Sequence, residues 1–427
     1  MTTEQLYELY LQHPSVETDT RKLQKGDIFF ALSGPNFNGN KFALQALGAG
    51  AAYAVVDEEI PNTDGRVLKV DNVLDSLQLL AKLHREQFDI PFIAITGSNG
   101  KTTTKELVSA VLSARYKTYT TQGNLNNHIG IPLTILRVKK DAEMAVIEMG
   151  ANHQKEIAGY CQYVNPTYGI ITNCGKAHLE GFGGIEGVKK GKGELFDYLR
   201  ENGGAAFIFN DYDYLKEMSA GIQPIITYGT KDAWLTGKLI PSETFLQIEL
   251  PNEEPTIGIK TQLVGDYNLP NVLCAATVGK HFNVPTPKIK ESIEAYTPGN
   301  SRSQMLVKGT NHIILDAYNA NPSSMKVALE NISKIQAEKK ILMLGGMMEL
   351  GNESEEEHTS LVELIKKHSW EKVILVGGDF GRIKHPFQYF SSSPEAAKWV
   401  QQQTFENTYF LIKGSRSIQM EKIAEAL

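Results

Sequence analysis

Short apolar runs alternate with amphipathic stretches along the whole chain, the pattern of an α/β protein whose buried strands are joined by helices. Leu77, Leu80, Ala81, Leu83 and His84 recur at helical spacing, and the pattern stops at Phe88-Asp89-Ile90-Pro91, where proline disfavours further helix. Phe92-Ile93-Ala94-Ile95 follows as a buried-type strand, and Leu107, Val108, Val111 and Leu112 mark a helix after it. Further strands are predicted at 145–148, 170–173, 313–315, 341–344, 373–376 and 409–412, with helical segments between them, so parallel crossovers are expected. One helix is signposted at both ends. Ser354 is placed to cap it, Glu355, Glu356 and Glu357 fill its first turn, and Lys366, Lys367 and His368 its last, which suits the helix dipole. It reads as a surface helix without chemistry. Three blocks result: 1–89, 90–297 and 298–427.

Composition narrows the class. Of 427 residues, 43 are Lys or Arg and 49 Asp or Glu, a formal charge of −6 with the signs mixed. No basic stripe for nucleic acid is present. The longest nearly apolar stretch, 44–56, falls short of the ~20 residues that span a bilayer. Met1-Thr2-Thr3-Glu4-Gln5 lacks the cationic start of a secretion signal. Cys161, Cys174 and Cys274 form no C-x-x-C pair, which points to a reducing compartment and away from zinc or disulfide frameworks. The expectation is a cytoplasmic protein, a monomer, without membrane insertion or a nucleic-acid partner.

The sharpest chemical signal is Ile95-Thr96-Gly97-Ser98-Asn99-Gly100-Lys101-Thr102-Thr103-Thr104, a strand running through a glycine turn into a helix. Gly97 and Gly100 let backbone N–H groups face an anion, and the helix turns its positive end to the same place. Lys101 would reach the terminal phosphates and the Thr102 hydroxyl would ligate Mg²⁺. The strict G-x-x-x-x-G-K-[ST] pattern fails, because Ile95 stands at its first glycine. No guanine-reading N/T-K-x-D segment is evident, which favours ATP.

Downstream, Glu148 ends a predicted strand, where a carboxylate could hold the phosphate-bound Mg²⁺ or simply be a solvated strand end. His178 could be a second metal ligand or a loop histidine. Gly191 and Gly193 interrupt the helical stretch 188–196, and each costs ~1 kcal/mol against alanine, so something must approach closely there. By composition alone, Lys189, Lys190 and Lys192 are a solvated cationic face. Asn124, Asn126 and Asn127, and then Asn268 and Asn271, suit sugar, base or amide recognition as well as ordinary turns.

Taken together these segments resemble the Mur ligase family. The similarity runs in order from Asp19-Thr20-Arg21 and 26–32, through 96–106, 123–132, Glu148-Met149-Gly150-Ala151-Asn152-His153 and 177–183, to 316–322, 344–351 and Lys413-Gly414-Ser415-Arg416. The family's short phosphate loop begins Gly-x-x-Gly-Lys, so the failed longer pattern is what the resemblance expects. It implies a three-domain α/β fold: a UDP-substrate-binding N-terminal domain (1–89), a central P-loop ATPase domain (90–297) and a C-terminal Rossmann-like domain (298–427). The implied activity joins a carboxylate to an amine at the expense of ATP. Segments 148–153 and 316–322 look like the member whose substrates are UDP-N-acetylmuramoyl-tripeptide and D-alanyl-D-alanine.

Carried over residue by residue, the resemblance has Gly97 to Thr103 and Lys101 hold phosphates, and Thr102 and Glu148 bind a first Mg²⁺. His178 and a carbamoylated Lys192 would bind a second, and Lys101, His178 and Lys192 make up the catalytic set. Asn268, Asn271, Arg302 and Asp316 approach the nucleotide. Thr20, Arg21, Asn124, Asn126, Asn127, Asn319 and Asn321 belong to substrate binding. It also implies closure of the domains over their substrates. Tyr267 replaces a common His, Gly346 an Asp, and Asn40-Lys41-Phe42 departs from G-H-D-F. Three rival readings stand beside this one. Another amide ligase of the family (third-residue-adding or folylpolyglutamate-like) is argued against by 148–153 and 316–322. A P-loop kinase or switch leaves residues 1–89 unexplained. A catalytically dead binding protein would have no need of Lys101, Thr102, Glu148, His178 and Lys192.

Overall fold

A computed structural model of the chain describes residues 1–61, 65–251, 253, 255–299 and 301–427. Three sheets organise it. The first has four parallel strands in the order Val16–Glu17, Ile28–Phe30, Tyr53–Val56, Val67–Lys69. The second has seven, ordered Leu235–Thr236, Ile225–Gly229, Ala205–Phe209, Tyr168–Ile171, Phe92–Thr96, Met144–Glu148, Thr118–Thr120, and every pairing is parallel. The third has six: an antiparallel edge, Gln304–Lys308, then Asn311–Asp316, Thr408–Lys413, Lys339–Gly345, Lys372–Val376 and Gln388–Phe390. The predicted strands all lie in these sheets, except that 170–173 leaves its strand after Ile171. A three-stranded antiparallel sheet (Lys238–Ile240, Phe245–Leu250, Ile257–Val264) adjoins the central unit.

The site is positioned by the central sheet's winding. From Phe92–Thr96 the chain visits the edge strand Thr118–Thr120, returns to Met144–Glu148 beside it, then crosses to Tyr168–Ile171 on the other side. The strand order therefore reverses at Phe92–Thr96, and a crevice opens at its carboxyl end, where such sheets bind ligands. All five residues of that strand are buried, because helices cover both faces of a parallel sheet.

The helix Ser354–Ile365 corrects one expectation. Ser354 is its first residue rather than its cap, because a short 3₁₀ turn, Gly351–Glu353, feeds straight into it, and Lys366 is already its C-cap. The helix is not an idle surface element either. His358 is wholly buried, its Nε2 accepting from Met347 N at 3.1 Å, and Glu357 takes Lys176 of the central unit at 2.5 Å.

The N-terminal and central units are bolted together through the helix Val73–Arg85. Arg85, 4% exposed, donates from Nε to Val164 O (2.9 Å), from Nη1 to Phe88 O (2.7 Å) and from Nη2 to Asn165 O (2.9 Å), and lies 3.8 Å above the Phe92 ring. Burial lowers the pKa of His84, so its neutral ring donates from Nε2 to Val138 O (2.8 Å) and accepts from Tyr7 OH (3.2 Å) at Nδ1. Tyr10 OH donates to Leu136 O at 2.5 Å. Arg85→Ala strands two carbonyls across this joint, Val164 O and Asn165 O, and a third, Phe88 O, within its own unit. It is expected to lower the unfolding free energy by about 3 kcal/mol, read from urea denaturation; a loss under about 0.5 kcal/mol would show that the joint does not depend on it.

Candidate active site

The phosphate loop is held open by its neighbours. Gly97 has φ +143°, and a Cβ there would lie 2.0 Å from Thr172 Oγ1. That contact exists because Thr172 and Asn173 leave the adjacent strand to grip the loop. Thr172 Oγ1 donates to Asn99 O (2.6 Å) and Asn173 Nδ2 to the same oxygen (3.0 Å), while Asn173 O and Oδ1 accept from Ser98 N (2.9 Å) and Asn99 N (3.0 Å). Ser98 Oγ and Gly175 exchange hydrogen bonds at 2.9 and 3.0 Å. Gly100, at φ +80°, starts the helix Lys101–Ser113 without any side-chain cap, so the first N–H groups of that helix remain for a ligand.

A cavity of about 650 Å³ lies over this loop. Ser98, Asn99, Gly100, Lys101, Thr102, Thr103, Asn126, Asn127, Glu148, His178, Asn268, Asn271, Arg302, Asp316 and Asn319 all line it. Lys101 folds back onto Gly97 O (2.7 Å) and Ser98 O (3.3 Å), and burial pushes its pKa down to about 8. Glu148 is 1% exposed; Oε1 accepts from Thr102 Oγ1 (3.1 Å) and Asn126 Nδ2 (2.7 Å). Its Oε2 is buried without a hydrogen-bond donor among the described residues, with Lys105 Nζ at 4.0 Å. An unsatisfied buried carboxylate oxygen is costly, and a hard divalent cation shared with Thr102 is the partner its chemistry fits. Among the described residues no three His, Cys, Asp or Glu side chains converge on one point.

Asn268 and Asn271 brace the back wall. Thr104 Oγ1 donates to Asn271 Oδ1 (3.0 Å), Asn271 Nδ2 to Asn268 Oδ1 (2.9 Å), and Asn268 Nδ2 to Val264 O (2.9 Å). The third sheet supplies the opposite wall. Lys413 and Asp316 are register partners on neighbouring strands, and Lys413 Nζ binds Asp316 Oδ2 at 2.5 Å and Asn319 O at 3.0 Å. Arg302 lies 3.5 Å over the Tyr318 ring. Tyr267, where a His was expected, spends its hydroxyl on Ser303 (2.8 Å), whose N–H reaches Asp316 Oδ1 at 3.3 Å. At Gly346, a Cβ would meet Gly378 Cα at 2.7 Å, so the missing carboxylate leaves no gap.

The remaining expected residues sit elsewhere. Asn124 lines an adjoining groove with Thr102, Arg302 and Arg416. Asn321 caps the helix Pro322–Lys334 and donates from Nδ2 to Asn99 Oδ1 at 2.7 Å, tying the third sheet to the phosphate loop. Thr20 and Arg21 lie on the N-terminal unit, away from the cavity, with Arg21 forked onto Asp19 at 2.8 and 2.7 Å. Asn40 is buried and bonded to Asp57 at 2.7 Å. Lys192 is 1% exposed behind the wall, donating to Ala151 O at 2.9 Å, with Nζ 4.8 Å from the Phe182 ring centroid. The close approach expected at Gly191 is that same ring, 2.4 Å from where a Cβ would be. Sequence reasoning gave no role to Thr172, Asn173, Tyr212, Tyr214 and Lys413, although Thr172 and Asn173 end a predicted strand and Lys413 opens a matched segment.

A strand–loop–helix phosphate cradle, a buried carboxylate beside its threonine, and a second α/β unit closing the same cavity define a nucleotide-dependent enzyme of the P-loop class. The Mur ligase middle domain matches residues 95–279, and the Mur ligase glutamate ligase domain matches residues 301–416. The UDP-N-acetylmuramoyl-tripeptide–D-alanyl-D-alanine ligase of Bacillus subtilis is 32% identical over 434 residues, covering 99% of this chain and 94% of that protein. The Escherichia coli ligase of the same name is 33% identical, with 97% and 93% covered. Among solved structures, MurF from Acinetobacter baumannii superposes with TM-score 0.86 at 29% identity, covering 96% of this chain and 92% of that one. MurF ligase from Thermotoga maritima in complex with ADP gives TM-score 0.86 at 25% identity, with 97% of each chain covered. The chain belongs to the Mur ligase family.

Gly97→Ala is expected to destabilise the protein by about 2 kcal/mol or more, because the residue is held in backbone space that a side chain strains and the new methyl group meets Thr172. Thermal melting checks this, and an unchanged midpoint would contradict the close approach.

Proposed function

We propose that this chain couples ATP to the ligation of D-alanyl-D-alanine onto UDP-N-acetylmuramoyl-tripeptide through an acyl phosphate, the last cytoplasmic step toward the peptidoglycan precursor UDP-N-acetylmuramoyl-pentapeptide. One observation carries this reading: Lys101, the Thr102–Glu148 pair and the Arg302–Asp316–Lys413 group line a single cavity. The activity named for the two relatives fits it. The division into three sheets supports domain limits of 1–89, 90–297 and 298–427, and among the described residues no helix is long and apolar enough to cross a membrane.

A carboxylate is a poor acyl donor because it has no leaving group. The tripeptide's terminal carboxylate oxygen attacks the γ-phosphorus and ADP leaves. The dipeptide amine then attacks the acyl carbon, loses a proton, and expels phosphate as the amide forms. Both partners in the first step are anions, so positive charge must be fixed around their line of approach. Lys101 and the uncapped helix N-terminus hold the phosphates, and Arg302 adds charge where the cavity meets the groove lined by Asn124 and Arg416. Asn126 and Asn127 orient the peptide end, Asn319 and Asn321 belong to the wall that shuts out water, and Thr20 and Arg21 take the UDP end. Thr102 and Glu148 would hold one Mg²⁺, and His178 with a carbamoylated Lys192 a second; magnesium supplies neutralising charge between the two anions.

Lys192 suits carbamoylation. Burial and the nearby Lys101 push its pKa down to about 7, so a neutral amine is available to add to CO₂ and become an anionic oxygen donor. ¹³C-bicarbonate NMR is expected to show a carbamate resonance that vanishes in Lys192→Ala. Full activity in that variant, without any response to bicarbonate, would reject the assignment.

Phosphate release should require both UDP-N-acetylmuramoyl-tripeptide and D-alanyl-D-alanine, with L-amino acids failing as acceptors. Lys101→Ala should cut kcat by roughly 10³-fold, and undiminished turnover would refute the mechanism. Because the Lys101 pKa lies near 8 before nucleotide binds, phosphates raise it and binding takes up a proton. ATP affinity should therefore weaken as pH rises above about 8. Calorimetry in buffers of different ionisation heat measures that uptake, and identical heats would count against it.

A further inference from the structure

The second and third units meet along a strip at residues 175–180. Lys176 N donates to Ser323 Oγ at 3.0 Å and Lys176 Nζ pairs with Glu357 at 2.5 Å. Glu349 grips the strip at two points: its carbonyl accepts from Glu180 N at 3.4 Å and its carboxylate pairs with His178 Nδ1. Both partners of that last contact have left-handed backbones, His178 at φ +53° and Glu349 at φ +62°. Neither is a glycine, so each conformation is held against its own preference, and such strain persists only where the surroundings impose it.

The atoms in contact give the strain a use. His178 lines the cavity, and with Nδ1 against the Glu349 carboxylate, Nε2 is the ring nitrogen left to serve a ligand there. A ligating histidine generally donates its second N–H to a carboxylate or carbonyl, which fixes both the tautomer and the ring's direction. Here a carboxylate from a different unit of the protein lies against Nδ1 as an ion-pair contact, off the line of a regular hydrogen bond.

We propose that Glu349 is a positioning residue: reaching from the C-terminal unit, it holds the His178 imidazole with Nε2 presented to the cavity, so the histidine is ready as a ligand only when that unit is docked. This rests on the reading of His178 as a metal ligand. It adds that half of the ligand's geometry is delivered by domain docking, through a residue that touches neither substrate nor metal.

The test uses the full chain with Mn²⁺ and a non-hydrolysable ATP analogue, with pulsed EPR reporting ring nitrogen bound to manganese. The unaltered protein should show the nitrogen signal and His178→Ala should lose it. Glu349→Ala should weaken Mn²⁺ binding at the nitrogen-coordinated site about tenfold, with a melting midpoint close to that of the unaltered protein. Glu349→Gln still offers Nδ1–H an acceptor and should retain most of the affinity. An unchanged isotherm in Glu349→Ala, or equal losses in both variants, would overturn the proposal, since the contact would then be idle or merely a charge clasp. Absence of the nitrogen signal from the unaltered protein would instead remove the metal reading of His178, and the proposal with it.

Discussion

Everything at the catalytic end of this molecule depends on how closely two parallel strand ends approach one another. The loop after Phe92–Thr96 and the residues after Tyr168–Ile171 come within a methyl group's width at Gly97 and Thr172. That proximity lets Thr172 and Asn173 occupy the Asn99 carbonyl and two of the loop's N–H groups, so the loop is braced from below while the helix start faces upward. A loop meant to bind a highly charged ligand cannot rely on that ligand to shape it without weakening the binding. Here Thr172 and Asn173 brace it through neutral amide and hydroxyl contacts, which do not repel the incoming anion, and Lys101 adds its own bonds to Gly97 O and Ser98 O.

Asparagine does much of this bracing, which explains why its two dense clusters were ambiguous. Asn271 and Asn268 form a chain from Thr104 to Val264 O, and Asn321 crosses between units to Asn99. Each lines the cavity or adjoins it, so supporting the wall and facing the ligand are not exclusive roles. A carboxamide both donates and accepts, and can therefore hold a backbone group on one side while presenting a polar atom on the other.

The fold and the heart of the site were legible because they depend on local signals. The phosphate loop, Glu148 and the alternating strands announce themselves by spacing and by chain order. Residues brought in from a distance did not. Thr172 and Asn173 act only because the strand order reverses beside them, and Lys413 only because its strand inserts next to Asp316, 97 residues earlier in the chain. The Ser354 cap failed for a simpler reason: a preceding 3₁₀ turn moved the helix start by one residue. The two glycines around Lys192 pointed correctly to a close neighbour, but the nearest is the Phe182 ring at Gly191.

The joint at Arg85 governs something more remote than stability. Two carbonyls of the central unit held by one buried guanidinium, with His84 and Tyr10 alongside, resist sliding of the N-terminal sheet against the central one. In the proposed reaction, a long substrate anchored at its nucleotide end by the first unit and reacting in the second would be measured against that span. A peptide one residue short loses about 3.5 Å of reach, while even an ångström of misplacement can cost a hundredfold in rate. The proposed ligase would thus count residues along a precursor whose middle it never has to touch.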